Sequence, residues 1–175
     1  MILKLKRTPG IYLVGFMGCG KSTVGRALAD ELGWSFFDLD DEIESGAGST
    51  ISEIFDTHGE SVFRRMEAST LVKRVRAVQS GHPQVVSLGG GALMHDENLE
   101  LVSNNGVTVW LDSPFDLIEK RVAAQSHRPL ARDPEKLREL FEVRCPRYAL
   151  SDFRVEAPEE EAIATVRRIL KLPLF

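Results

Sequence analysis

Gly15-Phe16-Met17-Gly18-Cys19-Gly20-Lys21-Ser22 is the stretch on which the reading of this chain turns. It fits G-x-x-x-x-G-K-[ST] in full. Its flanks also fit, with the apolar run Ile11-Tyr12-Leu13-Val14 before it and a helix-like run over 22–32 after it. A strand, a glycine-rich turn and a helix in that order make an anion cradle. The glycines let several backbone N–H groups point at one phosphate, and the helix adds its positive end. In this pattern Lys21 reaches the β- and γ-phosphates and the Ser22 hydroxyl holds Mg²⁺. The loop predicts nucleotide phosphate binding. It leaves open whether phosphate is transferred, and to what.

Outward from the loop, strand-like and helix-like runs alternate, which predicts an α/β fold with a mainly parallel sheet. Strands are expected at 11–14, 36–38, 85–88, 107–111 and 153–156. Helices are expected at 21–32, 60–79, 96–102, 134–150 and 159–170. A helical turn over 40–45 is expected to break at Gly46-Ala47-Gly48. Thr50 and Glu53 have the spacing of a capping box. The helix over 60–79 is given the apolar stripe Val62, Phe63, Met66, Val75 and Val78. Ser113-Pro114-Phe115-Asp116 reads as a helix start with Ser113 as cap. Pro146 is expected to break or kink its helix. Residues 126–133 read as a mobile, basic loop.

The chain has 175 residues, the size of one domain over 1–175. It carries 22 Lys and Arg against 26 Asp and Glu, a net charge of −4, which argues against a nucleic-acid partner. An anionic ligand must then be caught by local arginines. No apolar stretch is long enough to span a bilayer, so no membrane partner is expected. The two cysteines, Cys19 and Cys145, show neither metal-site nor disulfide spacing, and a cytoplasmic setting is the default. A monomer is the expected state.

Phosphoryl transfer needs positioned groups and neutralised charge. Asp38 and Asp40 stand at the end of a strand, where open α/β sheets bind ligands. One can support Mg²⁺ while the other receives a substrate hydroxyl; the alternative is a helix cap followed by first-turn acids. Val107-Thr108-Val109-Trp110-Leu111-Asp112 offers a competing metal-side carboxylate, but Asp112 adjoins a helix start, and Asp38 is preferred. Gly89-Gly90-Gly91 after a buried strand permits close backbone approach to a ligand. Arg64 and Arg65 diverge by about 100° on a helix, so at most one faces a cleft. Glu67 has the spacing to orient Arg64. Arg128 and Arg144 are further forks suited to carboxylate or phosphate.

Taken in order, Gly15 to Ser22, Asp38-x-Asp40, Phe63-Arg64-Arg65-x-Glu67, Gly89-Gly90-Gly91, Arg128-Pro129-Leu130 and Arg144-x-Pro146-x-Tyr148 resemble the ordered signature of shikimate kinases. The resemblance spans about 11–170. It implies ATP-dependent phosphorylation of the 3-hydroxyl of shikimate, ATP and Mg²⁺ as cofactors, and the nucleoside-monophosphate-kinase fold with a five-stranded parallel sheet in the order 2-3-1-4-5. By the same resemblance Gly18, Cys19, Gly20, Lys21, Ser22 and Thr23 hold the nucleotide, and Arg121 stacks on adenine. Asp40 binds the shikimate hydroxyls and accepts the proton. Arg64 and Arg144 clamp the carboxylate, and Gly89, Gly90 and Gly91 approach the substrate. Arg128 in a lid at about 126–133 reaches the transferring phosphate, and Asp38 lies on the Mg²⁺ side. Ala157-Pro158-Glu159-Glu160-Glu161 departs from the basic or polar residues common near the adenine, although Pro158 can still pack on the base.

Two rivals belong to this reading: a kinase of another small polyol acid such as gluconate, and a non-catalytic ligand sensor. Cys19 adds an expectation of its own. A thiol beside Lys21 at a helix N-terminus favours thiolate, with alkylation that ATP blocks; the alternative is a small, inert residue tolerated in the loop. Cys145, beside Arg144, is expected to be shielded by shikimate instead.

Overall fold

The computed structural model describes residues 10–124, 133–158 and 161–174. Strand β1 (Gly10–Val14) is buried along its whole length and delivers the chain into the glycine-rich loop, from which helix α1 (Lys21–Leu32) departs. Gly20 precedes α1 with φ of 95°, a conformation that an L side chain rarely adopts. Strand β2 (Ser35–Asp38) ends on Asp38, whose carboxylate accepts from the N–H groups of Asp40 and Asp41 and so caps helix α2 (Leu39–Ala47). α2 does not break at Gly46. Its buried Leu39 and Ile43 and its cap outweigh a glycine cost of about 1 kcal/mol, and the helix stops at Gly48. Helix α3 (Ile51–His58) opens on the expected box: Thr50 N–H donates to Glu53 at 2.7 Å, and Glu53 N–H donates to Thr50 Oγ1 at 3.2 Å.

Helix α4 (Glu60–Gln79) buries Phe63, Val75 and Val78 of the expected stripe and adds residues the stripe left out. Phe63, Glu67, Leu71, Arg74, Val75 and Val78 are buried, whereas Val62 and Met66 are only half-buried. Strand β3 (Gln84–Ser87) leads to the three glycines and a 3₁₀ turn, Ala92–Met94. Helix α5 (Asp96–Asn105), strand β4 (Val107–Asp112) and helix α6 (Phe115–Ala123) follow. Ser113 does not cap α6. Pro114 occupies that position, and the buried Ser113 hydroxyl faces Ala157 O at 3.0 Å and Cys19 O at 3.3 Å, joining the glycine-rich loop to the end of the sheet.

Helix α7 (Pro134–Tyr148) runs on through Pro146. Proline there removes a helix bond, but the turn beyond it is anchored from outside. Arg147 Nε donates to Leu93 O at 2.9 Å, and Tyr148 OH donates to Gly90 O at 2.6 Å. Strand β5 (Phe153–Glu156) and helix α8 (Ala162–Leu170) complete the chain, α8 starting later than the expected 159.

All strand pairs are parallel, in the order β2-β3-β1-β4-β5, as the resemblance implied. β1 lies between β3 and β4, so the chain crosses in opposite senses on its two sides. The C-terminal end of β1 is therefore the switch point where such sheets open a crevice. Leu13, Val85, Val86 and Val109 pack the sheet against Leu28, Leu71, Ile118 and Val166 of the flanking helices, each 1% exposed or less. Among the described residues no helix is long and apolar enough to cross a membrane.

Candidate active site

A cleft of about 480 Å³ opens at that switch point. One end is the cradle. Met17, Gly18, Cys19, Gly20, Lys21, Ser22 and Thr23 all line it. The Lys21 ammonium sits inside the turn, donating to Gly15 O at 2.9 Å and Phe16 O at 3.0 Å. The Ser22 hydroxyl donates to Asp38 Oδ2, so the first residue after the lysine and the end of β2 present two hard oxygens side by side. Arg121 on α6 lines the cleft and donates to Gly18 O at 3.0 Å. Ala124, Ala157, Ala162 and Thr165 complete this end. Ala124, Ala162 and Thr165 are small and carry no motif, which is why the sequence did not single them out, whereas Ala157 opens the loop already placed near the adenine. Pro158 is exposed beside them.

The other end is organised around Gly89, Gly90 and Gly91. Each is glycine because something stands where a Cβ would be. A Cβ on Gly89 would lie 2.7 Å from Asp40 Oδ1 and 3.1 Å from Glu67 Oε1. On Gly91 it would lie 2.7 Å from both terminal nitrogens of Arg64, and on Gly90 3.1 Å from Arg144 Nη1. Thus β2–α2, α4 and α7 converge on one loop, and Asp40 and Gly90 line the same cleft as Lys21 and Ser22. Arg64 faces this loop, and its neighbour Arg65 is exposed.

Arg64 is held from two sides. Its Nη1 donates to Glu67 at 2.9 Å, and its Nε and Nη2 reach Glu60 at 3.3 and 3.2 Å. Glu67 is 1% exposed. Burial pushes its carboxyl above the usual glutamate value, while Arg64 first, then His95 and Arg144, pull it back. Tyr148 belongs to the same assembly through its bond to Gly90 O, and burial raises its phenol. Sequence reasoning gave it no role. Its i, i+4 spacing from Arg144 was the available signal, since it puts both on one helix face. Arg144 also stacks 5.9 Å over Phe16, which meets Phe141 edge-on at 5.4 Å, so α7 touches the cradle as well as the glycines.

Asp112 is not turned to the cradle as a metal-side group; it accepts from Arg154 Nε at 2.8 Å and Nη2 at 2.5 Å, an ion pair across β4 and β5. Cys19 is 2% exposed with Sγ 3.8 Å from Lys21 Nζ, and that burial limits the access alkylation needs. Burial first, then Asp112, push the Cys145 thiol up to about 11. Arg128 and residues 126–132 of the expected lid lie outside the described residues.

A family model described as shikimate kinase matches residues 17–172. A shikimate kinase from Cereibacter sphaeroides is 42% identical over 97% of this chain and 85% of its own length. The chain belongs to the shikimate kinase family. As a shikimate kinase it is a P-loop transferase that uses ATP in aromatic amino-acid biosynthesis. A second shikimate kinase, from Persephonella marina, is 41% identical over 91% of this chain and 96% of its own. Among solved structures, a shikimate kinase from Acinetobacter baumannii in complex with shikimate superposes with a TM-score of 0.87 at 38% identity, covering 95% and 93% of the two chains. A gluconokinase from Sinorhizobium meliloti reaches 0.53 at 22% identity over 93% and 94%. That second likeness is one of fold alone.

Proposed function

We propose that the cleft transfers the γ-phosphoryl group of MgATP in line to the 3-hydroxyl of shikimate, with a fixed division of labour among its residues. The carrying observation is that one cleft is lined by Lys21, Ser22 and Asp38 at one end and by Asp40 and Gly90 at the other. Donor and acceptor groups thereby face one volume, the condition for in-line attack.

In this reading the loop N–H groups and Lys21 cradle the β- and γ-phosphates, and Arg121 flanks the base. Ser22 and Asp38 fit Mg²⁺: both offer oxygen, and two protein groups leave the other positions to phosphate and water, the usual arrangement for this ion. A Mg²⁺ ion held by Ser22 and Asp38 would supply neutralisation of phosphate charge during the transfer. Arg64 and Arg144 bind the substrate carboxylate as paired forks. Asp40 orients the hydroxyl and takes its proton late, as the acceptor oxygen bonds to phosphorus and the bond to the bridging oxygen breaks. ADP leaves with that electron pair. Arg128, outside the described residues, is assigned to the transferring phosphate on the resemblance alone. We read the enzyme as one domain over 1–175, a cytoplasmic monomer; sedimentation at working concentration checks the monomer.

The test is ADP release with shikimate, quinate and gluconate offered in parallel, for the native chain and for Asp40→Asn. Turnover confined to shikimate, lost in Asp40→Asn with shikimate affinity largely kept, is the expected result. Turnover with gluconate, or tight shikimate binding without turnover in the native chain, would sink the assignment.

A further inference from the structure

Arg64, Glu67, Leu71 and Arg74 follow one another along α4 at spacings of three, four and three, and so share one helix face. Arg64 and Glu67 serve the glycine loop. Arg74, about 15 Å further along the helix axis, touches neither end of the cleft. It is nevertheless 8% exposed, an unusual burial for an arginine. Its guanidinium carbon lies 4.0 Å from the centre of the Phe37 ring, and its Nε lies 3.2 Å from Glu42 Oε2. Neither Nε nor Oε2 has a hydrogen-bond partner, so the two charges are close without an aligned N–H···O bond.

The two residues it touches flank the functional corner. Phe37 is the last residue of β2 before Asp38, and Glu42 lies in the first turns of α2. Between them stand Asp38, bonded by Ser22 and capping α2, and Asp40, lodged against Gly89. A leucine or methionine at position 74 would fill the same face without burying a charge. An ion pair buried on its arginine side contributes little net stability against such a replacement, which leaves the position of the groups it touches as what it can set.

We infer that Arg74 is a positioning residue for Asp38 and Asp40. By gripping Phe37 on one side and Glu42 on the other, it fixes the β2–α2 corner to the helix that also carries Arg64. The carboxylate clamp and the proton-accepting aspartate are then set at a constant separation by one rigid element. This rests on the roles given to Asp38 and Asp40 above.

The test compares Arg74→Met, Arg74→Lys and Glu42→Gln with the exposed Arg76→Met, measuring kcat, shikimate KM, Tm and amide hydrogen exchange at Asp40 and Asp41. Arg74→Met is expected to lose about 10-fold in kcat with shikimate KM within about 2-fold, because the misplaced group acts on the hydroxyl and not on the carboxylate. The Asp40 and Asp41 amides, which donate to Asp38, exchange about 10-fold faster when the corner loosens. Arg74→Lys restores part of kcat, since it keeps the charge and loses the planar stack. Arg76→Met changes nothing. Unchanged kcat and unchanged exchange in folded Arg74→Met overturn the inference, even if Tm falls. If Arg74→Met does not fold, Glu42→Gln removes the more exposed partner, and its kcat and exchange decide in the same way. If Asp40→Asn proves active, the role of Asp40 is what fails, and the exchange measurement still decides whether Arg74 holds the corner.

Discussion

The two ends of the cleft are built by opposite means. The nucleotide end is built around a run of eight consecutive residues that works mainly through its backbone, with Lys21 folded into its own turn. The acceptor end draws Asp40, Arg64, Gly90, Arg144 and Tyr148 from four separate parts of the chain and works through side chains packed on three glycines. A contiguous cradle is fixed by local conformation. A dispersed pocket is fixed only by the helices that bring its parts together. Damage at the first should therefore strike catalysis and spare acceptor binding. Damage to the arginine forks of the second should do the reverse, whereas Asp40, at the junction of the two ends, acts on turnover.

The sharpest way to break that contrast is Lys21→Met. It removes the charge at the β–γ bridge and keeps most of the stem. Turnover should fall by at least about 10²-fold, while calorimetric shikimate affinity stays within about 2-fold. A parallel loss of shikimate binding would show that the two ends are not separable. Next in size is Arg144→Ala. Truncating one arm of a charged clamp costs roughly 2–5 kcal/mol, so shikimate KM should rise by about 30-fold or more while the Kd for ADP is unaltered. Arg144 also lies over Phe16 in the cradle. A matching loss of ADP affinity would therefore mean that α7 transmits between the ends.

Gly91→Ala probes the acceptor end more gently. The added methyl would meet the Arg64 fork at 2.7 Å, and a fork at the end of a flexible side chain can retreat. A rise in shikimate KM of about 10-fold, with ATP KM unchanged, is expected from a displacement on the order of 1 Å. An unchanged shikimate KM would show that Arg64 does not need its present position.

How much of this was legible in the sequence follows the same contrast. The strand, loop and first helix were readable because each is local: apolar run, glycines, Lys21, then Gly33 as the stop. The strand order came through the resemblance, since no local signal says which strands are neighbours. Asp112 shows the limit. Its hhhhD context is sound, but its partner Arg154 lies 42 residues away and decides its role. Ser113 looked like a cap for the same reason, its two carbonyl partners being 94 and 44 residues distant. Glu67 and Arg74 broke the expected stripe of α4, because a charged residue at a buried helical position reads as solvated until its partners are known.

The smallest effect expected is a slope. Burial raises the Glu67 carboxyl above its ordinary value, with Arg64 only partly offsetting it. The folded chain then holds a proton at pH values where the unfolded chain has already released it. By linkage this group's contribution to stability is fully present below the usual glutamate value. It declines as pH rises through the interval up to the raised folded value, and is flat beyond. The sign is opposite to that of a carboxylate held low by an ion pair. Glu67→Gln removes the titration and keeps an amide beside Arg64. Urea unfolding of both proteins across mildly acid to neutral pH should therefore show the variant gaining on the native chain as pH rises. A gap that widens against the variant instead would mean that the Arg64 pair outweighs burial, and that the acceptor end is held by charge more than by packing.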